Sequence, residues 1–431
     1  MAEPQEQDRA SGEAIGTGGT GPETAAPAPW LSIVGIGEDG LAGLSPAARA
    51  RIEQAEIVFG GARHLVLAAE AIIGEAVPWP SPLADGVAAV IAARGRNVCV
   101  LASGDPFLHG VGATLARQIP AGEMHVIPAP SAFSLAAARL GWALSEVAQI
   151  SLHGREIGRI RPALHPGTRI LVLTSDENGP AALAALLAGL GFGASRITVL
   201  EALGGPRERI RTARAHDFAL ADIDPLNVLA IEVDGRGAVL TRAGGLDDEL
   251  FEHDGQLTKR EIRAMTLSAL APRKGELLWD VGGGSGSIAI EWLLADPSLS
   301  AIAVESHTER AARIWRNAIA FGVPHLRIVE GKAPQALAGL PAPDAIFLGG
   351  GVSDEGVVAA AEAALKPGGR MVANGVTLET EAVLLALHAR LGGDLVRIAI
   401  SRAVPVKTMT GWRPAMPITQ WRWQKPGSEA E

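Results

Sequence analysis

Along almost the whole chain, short apolar runs closed by turn residues alternate with Ala- and Leu-rich segments of helical length. Residues 31–34, 98–101, 169–173, 196–200 and 228–233 form one series of such runs. Helical segments such as 181–190 lie between several of them. Parallel neighbours need a long crossover, so this alternation predicts an α/β fold with a largely parallel sheet and helices on its faces. A second, cleaner series covers 277–281, 301–305, 326–330, 345–348, 370–374 and 394–400. A last run at 418–423 is expected as an antiparallel edge strand. Between the two series lies a glycine- and charge-rich strip, Asp234-Gly235-Arg236-Gly237 and then Gly244-Gly245-Leu246-Asp247-Asp248. It is read as the joint between a domain at 29–240 and one at 241–431.

Composition narrows the function classes. The 431 residues are 48% hydrophobic and 20% charged, which is a globular balance. No apolar run approaches the roughly 18 residues a membrane helix needs. The net charge is −9 and no dense Lys/Arg run occurs, so nucleic acid is not the expected partner. Residues 1–28 hold almost no large apolar side chains and are expected to be a disordered tail. They lack the basic start and apolar core of a secretory signal, which predicts a cytoplasmic protein. The single cysteine, Cys99, sits in an apolar run and reads as a buried, inert thiol. No disulfide framework and no metal site are expected.

The most specific motif is Asp280-Val281-Gly282-Gly283-Gly284-Ser285-Gly286-Ser287, where a strand ends, a glycine loop turns and a helix starts near Ser287. Gly282, Gly284 and Gly286 let the backbone approach a ligand and take positive φ. A nicotinamide loop would place a third glycine at 287, which is serine. The G-x-G-x-G spacing, with Asp280 before it, suits S-adenosylmethionine. The next strand ends in Glu305, 25 residues after Asp280, where a carboxylate can accept both ribose hydroxyls. Gly331 and Ala333 follow the third strand and are expected against the adenine. Gly349, Gly350 and Gly351 follow the fourth, at the carboxyl strand ends where open α/β sheets bind ligands. Upstream, Thr258 and Glu261 have capping-box spacing. Lys259, Arg260 and Arg263 then put cations on a first helical turn that favours acids, which hints at an anionic ligand.

The N-terminal half carries three more loops at strand ends. They are Gly35-Ile36-Gly37, Ser103-Gly104-Asp105-Pro106 with Gly110, and Pro128-Ala129-Pro130-Ser131-Ala132. Together they could form one pocket. Pro106 fixes the second turn, Gly104 admits close backbone approach, and Asp105 can hold a polar group. His109 and His153 are read as structural.

The N-terminal loops resemble the tetrapyrrole (corrin and porphyrin) methylase family, whose third loop usually reads Pro-Gly-x-Ser where this chain has Ala129-Pro130. The stretches 254–263, 278–292, 343–351 and 365–380 resemble the decarboxylating precorrin methyltransferases of cobalamin synthesis. Their order in one chain resembles the fused aerobic-pathway enzymes. That resemblance implies a two-subdomain tetrapyrrole-methylase fold followed by a Rossmann-like methyltransferase fold. It implies two S-adenosylmethionine sites, methylation of a precorrin at C5 by the first half and at C15 by the second, and loss of the C12 acetate carboxyl as CO2. Cofactor residues carried over are Gly35, Gly37, Ser103, Gly104, Asp105, Ser131, Ala132, Asp280, Gly282, Gly284, Gly286, Ser287, Glu305, Gly331 and Ala333. Substrate residues are Lys259, Arg260, Arg263, Gly349, Gly350, Gly351 and Asn374, with Arg402, Lys407 and Arg413 as further cations. A homo-oligomer is expected. An anaerobic-pathway enzyme acting on cobalt-precorrin, an NAD-type oxidoreductase and a tetrapyrrole binder with one active half are the alternatives. No nucleophile is needed, because the methyl sulfonium is electrophilic and the reduced macrocycle offers electron-rich carbons; positioning carries the catalysis. The catalytic acid for decarboxylation has no sequence assignment.

Overall fold

In the computed structural model, which describes residues 29–427, nearly every apolar run becomes a strand. The tail expected at 1–28 lies outside the described residues. The chain divides into two compact units, Met1–Ser131 and Ala132–Glu431.

The first unit holds β1 (Leu31–Ile36), β2 (Ile57–Gly60), β3 (Glu75–Pro78), β4 (Val98–Ser103) and β5 (Met124–Ile127). All neighbours run parallel, in the order β3-β2-β4-β1-β5. β1 is buried along its full length, as a strand covered on both faces must be, and so reads as an unbroken apolar run. Cys99 is buried within β4, where desolvation pushes its thiol up to about 12.

The second unit holds a five-stranded sheet and a seven-stranded one. The first contains β6 (Val147–Ser151), β7 (Arg169–Leu173), β8 (Arg196–Glu201), β9 (Arg209–Arg214) and β10 (Asn227–Glu232), in the order β6-β7-β10-β8-β9. Only β6 and β7 pair in parallel. This corrects the expectation of a largely parallel sheet here. The link 202–208 between β8 and β9 is too short for a crossover helix, so β9 folds back antiparallel.

The other sheet contains β11 (Leu277–Val281), β12 (Ser300–Glu305), β13 (Arg327–Glu330), β14 (Ala345–Leu348), β15 (Arg370–Gly375), β16 (Asp394–Ile398) and β19 (Ile418–Gln424). Its order is β13-β12-β11-β14-β15-β19-β16. β19 is antiparallel as expected, but it inserts between β15 and β16 and is not at the edge. Its buried Thr419, Gln420 and Trp421 explain why: a strand this buried belongs inside a sheet. Helices Arg260–Leu270, Ser287–Ala295 and Thr308–Ala320 cover one face; Val357–Ala364 and Leu378–Leu391 cover the other. A separate hairpin, β17 (Ser401–Val406) and β18 (Met409–Pro414), has no counterpart in the sequence reading. The order reverses between β11 and β14, and the carboxyl ends at that switch point form the natural ligand crevice.

Candidate functional site

At that switch point opens a cavity of about 780 Å³. The glycine loop forms its floor. Gly282 has φ +76°, and a Cβ there would lie 2.8 Å from the Gly350 nitrogen. Only glycine therefore lets the 282–286 and 349–351 loops touch. Gly286, also at φ +76°, stands against Ile314 and leads directly into the helix beginning at Ser287.

Two carboxylates face this floor. Glu305 ends β12 and is almost fully buried. Its Oε2 accepts from the Gly284 amide at 2.8 Å, and its Oε1 from the His307 amide at 3.0 Å. Oε2 keeps a lone pair, and the second contact on Oε1 is only a long one from Ser306 Oγ at 3.5 Å, so the group remains able to accept a diol. Asp280 is 1% exposed, and its Oδ2 accepts from the Ala289 amide at 3.1 Å. Burial, reinforced by the nearby Glu305 charge, pushes its carboxyl up to about 7. A buried acid with so little local compensation suits a ligand that brings positive charge. The glycine cradle and paired acids thus fit an S-adenosylmethionine molecule, with its diol and cationic methionine end.

Of the sequence candidates, Asp280, Gly282, Gly284, Ser287, Glu305, Gly331, Ala333, Lys259, Gly349, Gly350, Gly351 and Asn374 all line this one cavity, and Gly286 packs just beneath it. Two others do not. The Arg263 side chain is fully buried; it pairs with Glu291 and with Asp248, and donates to the Thr258 and Leu246 carbonyls. It is a structural cation that ties the joint strip to the helix, not a substrate anchor. Arg260 pairs with Asp247 at 2.7 Å, away from the cavity. The capping box is also corrected. Lys259, not Thr258, is the N-cap of the helix Arg260–Leu270, and a lysine side chain has no oxygen to accept from the first-turn amides.

The sequence reading missed an apolar part of the cavity wall. Val376, Ile398, Ile400, Met416 and Ile418 form an apolar lobe beside the glycine floor. These residues lie at or just beyond the ends of β15 and β16, after the hairpin and at the start of β19, and β19 inserting between β15 and β16 brings them together. Rim cations also come from separate elements. Arg310 pairs with Asp254 at 2.9 Å, Lys332 with Asp354 at 3.3 Å, and Arg402 with Glu261. Asn374 donates to Thr266 Oγ1 at 2.9 Å and accepts from Gln420 Nε2 at 2.9 Å, so its amide is held rigidly toward the cavity.

In the first unit the three loops are interlocked. A Cβ on Gly35 would lie 1.9 Å from the Gly104 carbonyl oxygen and 2.6 Å from the Ala129 nitrogen. The Ala129 amide donates to that same oxygen at 3.1 Å. Gly104, at φ +54°, leaves no room for a Cβ beside the Pro130 carbonyl and Ser131. Replacement of the family's usual glycine by Ala129 is thus accommodated without separating the loops. Gly37 turns against Asp39, and Asp105 accepts from the Phe107 amide at 2.8 Å to hold its own loop. Ala132 opens the helix Ala132–Leu140 of the second unit. Beside these loops stand Arg63 and His64, which no motif had marked.

Among the described residues no helix is long and apolar enough to cross a membrane, and no cluster of three or more metal-ligating side chains occurs.

Comparison with known proteins matches residues 31–219 to the tetrapyrrole (corrin/porphyrin) methylases and 249–425 to a precorrin methyltransferase domain. A precorrin-6Y C(5,15)-methyltransferase [decarboxylating] of Sinorhizobium sp. is 62% identical over 94% of this chain and 98% of its own. A cobalt-precorrin-6B C(15)-methyltransferase (decarboxylating) of Salmonella typhimurium is 32% identical over 40% of this chain and 92% of its own. The crystal structure of the C-terminal domain of a precorrin-6Y C5,15-methyltransferase from Rhodobacter capsulatus is 48% identical, covering 43% of this chain and all of that one, with a TM-score of 0.41.

Proposed function

The chain belongs to the decarboxylating precorrin-6Y C(5,15)-methyltransferase family of cobalamin biosynthesis, and we propose that it divides the family's chemistry between two S-adenosylmethionine sites. The N-terminal domain, 29–240, methylates C5. The C-terminal domain, 241–431, methylates C15 and releases the C12 acetate carboxyl as CO2, giving precorrin-8. The observation that carries this reading is the pair of independent glycine-loop constructions, one around Gly35 and Gly104 and one around Gly282 and Gly350. The relative that matches only 40% of this chain supports it, since its name covers C15 methylation and decarboxylation alone.

S-adenosylmethionine, when bound, supplies an electrophilic methyl group. The chain's residues hold and orient. Glu305 accepts the ribose hydroxyls and Asp280 faces the cationic end, while Gly282 and Gly350 keep the floor free of side chains. The apolar lobe takes the macrocycle face. Lys259 and Arg402 at the rim meet the substrate's carboxylates, exchanging their present partners Asp248 and Glu261 for them. Asn374, fixed by Thr266 and Gln420, presents its amide toward the reacting edge. Orientation of this kind is worth roughly 7–11 kcal/mol.

Asp105→Ala in the full chain tests the division of labour. With precorrin-6B as substrate, mass spectrometry should find a product that has gained one methyl and lost CO2. A variant that still adds both methyls at the wild-type rate would refute it.

A further inference from the structure

Arg63, His64 and Ser103 form a cluster at the carboxyl end of the first sheet, beside the cofactor loop that Ser103 opens. Arg63 follows β2 and also pairs with Glu38 in the loop after β1, while Ser103 ends β4 and opens the Ser-Gly-Asp-Pro loop. One Arg63 nitrogen lies 2.9 Å from His64 Nε2 and 2.8 Å from Ser103 Oγ. Ser103 Oγ is itself 2.9 Å from His64 Nε2.

Donor chemistry then fixes the protons. A guanidinium only donates, so His64 Nε2 carries the lone pair and the imidazole proton sits on Nδ1. Because Ser103 Oγ accepts from Arg63, its own hydrogen is left to point at Nε2, where it shares the one lone pair with the Arg63 N–H. His64 Nδ1 is buried with no hydrogen-bond partner. A histidine kept only for stability would be expected to satisfy that atom, and a buried group left unsatisfied calls for another explanation.

We propose that His64, acting through the Ser103 hydroxyl, receives the proton that C5 of the tetrapyrrole releases in the N-terminal methyl transfer. This rests on the reading that the N-terminal domain methylates C5. A methine carbon that gains a methyl carries both methyl and hydrogen until a base intervenes. The C5–methyl bond forms as the sulfur–methyl bond breaks, leaving a neutral thioether. The C5–H bond then returns its electron pair to the conjugated ring. Its proton passes to Ser103 Oγ while the Ser103 hydrogen passes to His64 Nε2; the Arg63 N–H that shared the Nε2 lone pair gives up that contact, and Arg63 retains its bond to Oγ. Burial and the Arg63 charge hold His64 down at about 4, so the imidazole is unprotonated at neutral pH. A base this weak suffices because the methylated cationic ring is a strong acid, and the resulting imidazolium readily gives its proton to water.

Nitrogen-15 spectra of the histidine-labelled full chain, compared with His64→Ala, should show His64 neutral at pH 7 with its proton on Nδ1. A proton on Nε2, or an imidazolium, would overturn the proposal. With precorrin-6B, His64→Ala should slow C5 methylation by about 100-fold or more. It should also reveal a primary isotope effect with C5-deuterated substrate and respond to added imidazole. S-adenosylmethionine binding by calorimetry should change less than about threefold, and C15 methylation and CO2 release should persist. Ser103→Ala should slow the same step and show the same isotope effect. C5 methylation within threefold of wild type in His64→Ala overturns the proposal, as does its loss without an isotope effect or with loss of cofactor binding. Asp105→Ala, run alongside, separates the two readings. If it spares C5 methylation, the N-terminal assignment fails; if it abolishes C5 methylation while His64→Ala does not, only the proton acceptor fails.

Discussion

Replacing Asp280 by asparagine should make the ligand-free protein more stable and its cofactor site weaker, and the pH dependence of the first effect follows from the structure. Asp280 is fully enclosed at the end of β11, with the Ala289 amide as its one hydrogen-bond donor and Glu305 nearby. Desolvation raises its carboxyl from 3.8 to about 7. A raised carboxyl binds its proton more tightly in the folded chain than in the unfolded one. The associated stability is therefore complete below about pH 3.8, declines as pH rises toward 7, and is gone above it. The full interval corresponds to about 4 kcal/mol as an upper limit, and the part between pH 5 and 7 to roughly 3 kcal/mol. Asparagine keeps the shape and the bond from Ala289 but has no charge to bury. Thermal unfolding of ligand-free wild type and Asp280→Asn at pH 5 and pH 8 isolates this group with its coupling to Glu305, because titrations elsewhere cancel in the difference. The variant should gain on wild type by several degrees between the two pH values, at about 2–4 °C per kcal/mol. Its affinity for S-adenosylmethionine at pH 8 should fall by about 1–3 kcal/mol, the worth of a hydrogen bond to a charged group. Parallel unfolding curves at the two pH values would refute the claim that Asp280 is held against its charge.

Gly35→Ala forces a Cβ into the Gly104 carbonyl, so calorimetry should count one S-adenosylmethionine per chain against the two expected for wild type, with C15 methylation intact. Arg263→Met strands Glu291 without its buried partner and should cost about 3–5 kcal/mol in urea unfolding, while the tetrapyrrole KM of folded protein stays near wild type. Lys259→Ala should raise that KM several-fold at nearly constant kcat, and Lys259→Arg should restore it; an unchanged KM would remove Lys259 from the substrate anchors.

The parts legible in the sequence are those encoded locally. β11, its glycine loop and the helix at Ser287 follow one another without a gap, and each residue type there answers a backbone demand. The strand end at Glu305 and the loops at Gly331 and Gly349 repeat that grammar, so one side of the cavity could be assembled from spacing alone. The antiparallel pairing of β8, β9 and β10 was hidden because each strand reads as an ordinary apolar run. Direction is set by connection length, and the 202–208 link does not announce itself as a hairpin.

The substrate side was illegible for a different reason. Arg263 and Lys259 look alike in sequence: both are cations near the start of one helix. Their fates separate only because Arg263 points inward to Glu291, a residue of the next helix, while Lys259 sits at the N-cap facing the cavity. A cation's role is decided by which carboxylate the tertiary fold brings to it. The same logic explains why His64 went unnoticed. Nothing in the stretch around it forms a motif; its significance lies in Ser103, brought to it from the end of another strand, and in Arg63, whose donors dictate where the imidazole proton sits. A chain whose chemistry is methyl transfer between an electrophile and an electron-rich ring needs few reactive side chains, and the few it uses are defined by neighbours rather than by sequence signatures. The functional residues most worth testing are accordingly those whose hydrogen-bond inventory remains unbalanced in the folded protein: His64 with its orphaned Nδ1, and Asp280 with its single donor.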